Sequence, residues 1–313
     1  MVPKGMAGKR FAAIDIGTNT ILLLIAELKE NRTFEVLEDR AEITRLGKGV
    51  DRTRRISAPA AERTLKVLRA YRERCAELAV DEIVAVGTSA LRDARNATAF
   101  QARLKRELDL ELQVLSGEEE ARYSYLAVER GLDLKGEEVL VVDVGGGSTE
   151  LIWGNDGRLC RWASLDLGSV RLTERFLATD PARQDERDRL MTAIDRELDS
   201  LIVEWAVKPC FSAMVGIAGT FTTLAAVERG LVRYSHSEVH GSLLSRVEVR
   251  RQIRLYQAMP IAERRKISGL EPQRADVILA GAILIERIMA FFGLDEARVS
   301  DQGIRYGLLY ERL

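Results

Sequence analysis

Leu140-Val141-Val142-Asp143-Val144-Gly145-Gly146-Gly147-Ser148-Thr149-Glu150 repeats a pattern already present near the start of the chain, at Ala12-Ala13-Ile14-Asp15-Ile16-Gly17-Thr18-Asn19-Thr20. In each copy an apolar run places an aspartate at its end, glycine follows, and hydroxyl side chains close the motif. Such a run reads as a strand, and the glycines are expected to turn the backbone at φ > 0 so that bare N–H groups face an anion, with Thr and Ser hydroxyls as further donors. A second apolar stretch follows each loop, at 21–25 and 150–153, so both copies read as strand, tight turn, strand. This is not the strand–loop–helix of a P-loop, and no Gly-Lys-Ser/Thr is present. Two such loops in one chain predict two α/β lobes that each offer a loop to one phosphate-rich ligand in a cleft.

Working outward, the first half alternates strands (11–15, 21–28, 34–44, 82–87, 111–115) with helices (57–78, 93–108, 117–130), the signature of an α/β fold. The second half reopens the pattern with strands at 138–144, 149–154 and 158–166, helices at 169–178 and 183–206, a strand at 213–217 and a helix from Thr220 to about Glu228. Residues from about Val247 onward read as mostly helical. The expected fold is α/β with two actin-like, ribonuclease H-like domains, one comprising 1–122 with a C-terminal helix at 301–313, the other 123–300.

Composition narrows the partners. With 313 residues and 46% apolar content the chain can bury two cores. Lys+Arg 47 against Asp+Glu 48 leaves a net charge of -1, which argues against nucleic acid or an anionic membrane as partner, so any polyanion must be held by a local cluster. Cys75, Cys160 and Cys210 are odd in number and far apart, which fits a reducing cytoplasm and buried or incidental thiols. No secretory h-region precedes Asp15, and the most apolar stretch, 277–294, is interrupted by Glu286 and Arg287; a cytoplasmic protein is expected.

Among the acids of Ser116-Gly117-Glu118-Glu119-Glu120, the Ser116/Glu119 spacing makes a capping box and Glu118 suits a first helical turn. Glu120 has no capping duty and is the candidate functional carboxylate. Glu150 lies beside the second glycine loop, where it would repel phosphates unless a divalent cation intervenes. Asp143 with Glu150, supported by Asp15, therefore suggests Mg²⁺ or another divalent cation, which takes one or two carboxylates plus substrate oxygens. Two further turns suit anions: Gly87-Thr88-Ser89-Ala90-Leu91-Arg92, with Arg92 or Arg95 as a fork, and Gly216-Ile217-Ala218-Gly219-Thr220. The phosphate-binding candidates are thus Asp15, Gly17, Thr18, Asn19, Thr20, Thr88, Ser89, Arg92, Gly145, Gly146, Gly147, Ser148, Thr149, Gly219 and Thr220. His236 and His240 are four apart, but Ser237-Glu238-Val239 between them is not the H-E-x-x-H pattern, and the segment reads as a loop without zinc.

These segments, with ITRLGKGV (43–50), GTSALRDARN (87–96), LSGEEEARYSYLAV (115–128), SLDLGSVRLTERF (164–176), VHGSLLSR (239–246), RADVILAGAILIE (274–286) and VSDQGIRYGLLYERL (299–313), resemble the Ppx/GppA family of exopolyphosphatases and guanosine pentaphosphate phosphohydrolases across nearly the whole chain. The resemblance implies the actin/hexokinase/Hsp70-like fold. It also implies metal-dependent release of orthophosphate from the end of polyphosphate, or of the terminal 5′ phosphate of pppGpp. By motif, Glu120 resembles the catalytic glutamate, Glu150 the second acid and Asp143 the metal-associated acid. Thr18 and Thr20 stand where serines are common, and Tyr306 where an acid is usual. The helical extension of longer members does not follow Leu313 in this sequence, so a short phosphate track is expected. Polyphosphate or pppGpp is the expected partner, with a homodimer a possible assembly. An ATP-binding kinase or ATPase of the same fold and a catalytically silent binder of these ligands are the alternatives.

Overall fold

The computed structural model describes residues 8–132, 134, 136–206 and 209–313; residues 1–7, assigned above to the first domain, lie outside these. Contacts divide the chain into two units, one running to Ala127 and resuming at Ile304–Leu313, the other spanning Val128–Gly303.

The first unit contains β1 (Arg10–Ile16), β2 (Thr20–Leu28), β3 (Phe34–Ile43), α1 (Val50–Thr53), α2 (Ala58–Glu77), β4 (Glu82–Gly87), α3 (Ser89–Asp93), α4 (Ala97–Leu108), β5 (Leu112–Val114) and most of α5 (Gly117–Gly131). In the second lie β6 (Glu138–Val144), β7 (Thr149–Asn155), β8 (Arg158–Leu165), α6 (Ser169–Phe176), α7 (Gln184–Trp205), β9 (Ala213–Ile217), α8 (Ala218–Glu228), α9 (His236–Val239), β10 (Leu243–Ser245), α10 (Arg246–Ala258), α11 (Ile261–Arg264), α12 (Ile278–Phe292) and β11 (Glu296–Val299). The chain then returns to the first unit as α13 (Ile304–Tyr310).

The two sheets share a topology. The first has the order β3-β2-β1-β4-β5, and the second reads β8-β7-β6-β9-β11 with β10 added at its edge. In both, three antiparallel strands are followed by parallel additions. This is the order of the ribonuclease H-like, actin-like fold, laid down twice.

Strand alternation sorts the side chains. Along β1, Ala12, Ile14 and Ile16 join the core beneath α2 and α4, whereas Phe11 and Ala13 join the core that holds Tyr123 and Ala127 of α5 and Ile304, Leu308 and Leu309 of α13. Asp15 shares parity with Phe11 and Ala13, so the sheet turns its carboxylate toward the α5 face. Along β6, Leu140, Val142 and Val144 enter the core that includes Leu190, Ile194 and Leu198 of α7 together with much of α12, which leaves Asp143 on the opposite face. Helix α13 lies very close to α5: a Cβ added to Gly307 would fall 2.1 Å from the carbonyl oxygen of Tyr123. Helix α12 is apolar nearly all round and buried, and its one buried acid, Glu286, is held by Arg246 Nε (3.2 Å) and Arg250 Nε (2.8 Å).

Four local expectations are corrected. The helix expected over 93–108 begins only at Ala97, after the separate α3 that ends at Asp93, because Ala94 is extended and the Asn96 side chain bridges the backbone of Ile56, accepting from its N–H (2.8 Å) and donating to its oxygen (2.9 Å). The mostly helical tail contains β11, which pairs in parallel with β9 at Arg298↔Val215. The 234–241 segment carries the helical turn α9 in place of a loop. The glycines of the two phosphate loops are not among those with positive φ.

Candidate active site

The two loops close in the same way. Gly17 N–H donates to Thr20 O (3.0 Å), and Gly145 N–H donates to Ser148 O (3.0 Å). A Cβ at either glycine would lie 3.0 Å from the same carbonyl oxygen, so the close approach explains the glycine and a left-handed backbone does not.

Each unit then ties the loop carbonyls from behind. In the first, Thr44 and Arg45 N–H donate to Asn19 O (3.1 and 2.9 Å), and Gly47 N–H donates to Thr18 O (2.8 Å). In the second, Ser169 N–H donates to Gly145 O (3.0 Å), Val170 and Arg171 N–H donate to Gly146 O (2.9 and 3.1 Å), and Arg171 Nε donates to Gly147 O (2.6 Å). A glycine sits against each loop: a Cβ on Gly47 would meet Thr18 Cγ2 at 2.3 Å, and one on Gly168 would meet Gly146 C at 2.4 Å. With the carbonyls engaged, the N–H groups of Thr18, Asn19, Gly146, Gly147 and Ser148 have no backbone acceptor among the described residues. Amides held this way form an anion-binding concavity. Both polar atoms of the Asn19 side chain are also buried without a hydrogen-bond partner; a ligand oxygen would accept from Nδ2, whereas Oδ1 calls for a donor or a cation.

The registers place the acids. Asp143 pairs directly with Glu150, so the two carboxylates share one face of the second sheet, while the equivalent partner of Asp15 is Leu22. Asp143 and Glu150 are both buried, and Ser164 Oγ donates to Glu150 Oε1 at 2.7 Å. Among the described residues no cluster of three or more His, Cys, Asp or Glu is positioned to hold a metal ion. A buried pair of like charges fits a hard cation that takes one or two carboxylates and fills its other positions with water and substrate oxygens.

At the α5 start, Ser116 N–H donates to Glu119 Oε2 (2.8 Å) and Glu119 N–H donates to Ser116 Oγ (3.2 Å), the expected capping box. Glu120 is only 3% exposed and forms an ion pair with Arg92, which also donates from Nη1 to Leu115 O (2.9 Å). Both contacts use Nη1 of an Arg92 that is itself exposed, and its charge offsets that of Glu120, which lowers the repulsion an incoming phosphate would meet. Arg95 is exposed. Thr88 N–H donates to Ile16 O (3.3 Å), which sets the Thr88-Ser89 turn beside the end of β1; both residues are buried.

Other expected contacts are redirected. Thr149 is fully buried and its hydroxyl donates to Leu167 O, so it braces the loop from inside. Thr220 Oγ1 lies 3.5 Å from Val144 O. Gly219 is covered by the Arg274 guanidinium, whose atoms would stand 2.3 to 2.4 Å from an added Cβ. Tyr306 donates to Asp39 Oδ2 (3.0 Å) beside the two-pronged Arg305–Asp39 pair. The His236 and His240 rings stack at 5.2 Å; His236 Nδ1 lies 2.7 Å from Asp301 Oδ2 and His240 Nε2 lies 3.3 Å from Gly131 O, and burial holds the His240 pKa below the usual histidine range. Sequence reading missed the bracing role of Gly47, Gly168 and Arg171. Gly168 and Arg171 lie together in the SLDLGSVRLTERF segment, where a glycine next to a helix start was the available signal.

The sequence profile of the Ppx/GppA phosphatase family matches residues 24–313. The chain belongs to the Ppx/GppA phosphatase family. It is 34% identical to Exopolyphosphatase 2 of Mycobacterium tuberculosis, over 97% of this chain and 98% of that protein. It is 33% identical to the Bifunctional 3-dehydroquinate synthase/phosphatase of Fusobacterium nucleatum, over 96% of this chain but 46% of that protein, so the chain spans about half the length of that relative. With the Guanosine-5'-triphosphate,3'-diphosphate pyrophosphatase of Pseudoalteromonas atlantica it shares 27% identity over 100% of this chain and 60% of that protein. Among solved structures, the Aquifex aeolicus member of the Ppx/GppA family superposes with a TM-score of 0.81 at 37% identity, covering 97% of both chains. An exopolyphosphatase from Cytophaga hutchinsonii superposes with a TM-score of 0.88 at 30% identity, covering 96% of this chain and 97% of that one. The two-unit α/β architecture of this Ppx/GppA protein is thus that of its family. No helix among the described residues is long and apolar enough to cross a membrane.

Proposed function

We propose that this protein is an exopolyphosphatase that hydrolyses the terminal phosphoanhydride of inorganic polyphosphate with the help of a divalent cation. The observation that carries the reading is a pair of identically closed loops whose carbonyls are engaged and whose amides remain available, each beside a buried carboxylate. Polyphosphate is favoured over pppGpp because the exopolyphosphatase relative matches along 98% of its length and at higher identity than the pyrophosphatase, which is matched over 60%.

In this reading the loop amides, with Asn19 and Ser148, hold phosphate oxygens. Glu120 accepts a proton from a water whose oxygen attacks the terminal phosphorus. The new P–O bond forms as the bridging P–O bond breaks, and the electron pair leaves with the shortened chain. Arg92 keeps Glu120 fixed and offsets its charge, which matters because phosphoryl transfer depends on positioning and electrostatics. Asp143 and Glu150 would hold the cation; when bound it supplies charge neutralisation to the phosphate oxygens. Product analysis tests the reaction type: orthophosphate must appear from the first turnovers while the remaining chain shortens gradually. Early appearance of mid-length fragments would refute end-directed cleavage.

A further inference from the structure

Residues 44–56 of the first unit carry Arg45, Lys48, Arg52, Arg54 and Arg55 against the single acid Asp51, in a chain whose net charge is -1. The segment is not a loose surface loop. Its beginning is bound to the first phosphate loop through the Thr44, Arg45 and Gly47 N–H groups, and Gly47 lies against both Thr18 and Ala90. Its end is fastened to the turn after α3: Arg95 N–H donates to Arg54 O (2.9 Å), Asn96 bridges Ile56 through two bonds, and Arg54 Nη1 stands 3.2 Å from Asp93 Oδ1. Lys48, Arg52, Arg54, Arg55 and Arg95 are exposed.

Arg45 and Arg54 adopt φ values of 53° and 52°, flanking Gly49 at 77°. A side chain in the left-handed region is strained where glycine is not. Arginine stands at both places. Arg54 is the C-cap of α1, a place where left-handed backbone is common, so it is the fastening at both ends that sets this segment apart from a surface of loosely solvated charges.

We propose that residues 44–56, with Arg95, form a cationic strip that receives the phosphate chain beyond the units held by the first loop, and so set the preference for chain length. This rests on the polyphosphatase reading above. Phosphates along the strip would meet exposed guanidinium and ammonium groups carried on a backbone fastened at both ends, so longer chains gain affinity until the strip is filled. A duplex or single-stranded nucleic acid has the same charges at a wider and stiffer spacing and gains less.

The test is the triple variant Lys48→Ala/Arg52→Ala/Arg55→Ala, whose three side chains are exposed and form no ion pair among the described residues. The ratio of kcat/KM on long polyphosphate to kcat/KM on tripolyphosphate is expected to fall roughly tenfold. The slope of log affinity for long polyphosphate against log salt is expected to drop by about 2 to 3, one for each lost phosphate contact. An unchanged ratio, an equal loss on both substrates, or an equal loss of single-stranded DNA binding would overturn the strip. If the unaltered protein releases no orthophosphate from polyphosphate of any length, the activity reading fails by itself. Equilibrium binding of long polyphosphate then still decides the strip, which falls if the triple variant binds as tightly as the parent.

Discussion

Two adjacent glutamates at the start of α5 are assigned opposite duties, and exchanging each for glutamine separates them. Glu120→Gln keeps the shape of a buried side chain and leaves Arg92 its bond to Leu115 O, so the fold should persist. What it removes is the proton acceptor; losing a general base costs roughly 10² to 10⁴ in turnover. Glu119→Gln instead weakens a capping box in which one carboxylate oxygen accepts from both Ser116 N–H (2.8 Å) and Ser116 Oγ (3.1 Å). Glutamine retains an acceptor oxygen there, so the loss is at most about 1 kcal/mol, or a melting shift of a few degrees. The assay pairs initial rates of orthophosphate release with thermal melting of each variant and equilibrium binding of polyphosphate. The expected pattern is a near-silent Glu120→Gln that binds substrate, and an active Glu119→Gln that melts slightly earlier. A fast Glu120→Gln, or a Glu119→Gln that folds normally yet loses turnover by orders of magnitude, would refute the assignment.

Four more outcomes follow from the same geometry. Activity should vanish in excess EDTA and return with Mg²⁺, and Asp143→Asn and Glu150→Gln should each raise the Mg²⁺ concentration needed for half-maximal rate; full activity in EDTA would end the metal proposal. Arg92→Ala should weaken polyphosphate binding more than any single surface lysine change and also lower the melting temperature by leaving Glu120 buried without its cation, and adding Glu120→Gln to it should restore much of the melting temperature without restoring activity. Gly307→Ala should destabilise the protein by about 1 to 3 kcal/mol in denaturant titration, because its Cβ meets backbone and not a side chain that can move. Glu186 accepts from the Thr179 hydroxyl and from the Arg183, Ala178 and Thr179 N–H groups, which depress its pKa to about 2, so its contribution to stability is complete above the unfolded carboxylate value and is lost as pH falls toward 2; Glu186→Gln should flatten the acid limb of a stability–pH curve in that window.

Much of the fold is legible in the sequence because strand period and glycine punctuation coincide. The two Asp–Gly loops, the three-strand opening around each, and the capping box at Ser116 all rest on local chemistry that a short window contains. What the window does not contain is partnership across the chain. Thr149 reads as a donor for phosphate until Leu167 O is placed beside it, and Arg92 reads without a partner acid until Glu120 arrives from a later helix. Gly17 and Gly145 ease a close approach and do not supply a left-handed backbone: a carbonyl oxygen 3.0 Å from the would-be Cβ is a property of the closed turn and not of the residue sequence alone. Strand β11 is illegible because four residues, Glu296–Val299, carry too few alternations to outweigh the helical pattern before them.

Whether the terminal phosphates of polyphosphate are the substrate is decided most directly by orthophosphate release from long polyphosphate, tripolyphosphate, pppGpp and ATP. The four are compared at equal concentrations of terminal phosphate, each with and without Mg²⁺. Release should depend on Mg²⁺, with polyphosphate giving the highest kcat/KM and ATP the lowest. A strong preference for pppGpp over every polyphosphate, or ADP formation from ATP outpacing both, would contradict the assignment of polyphosphate as substrate.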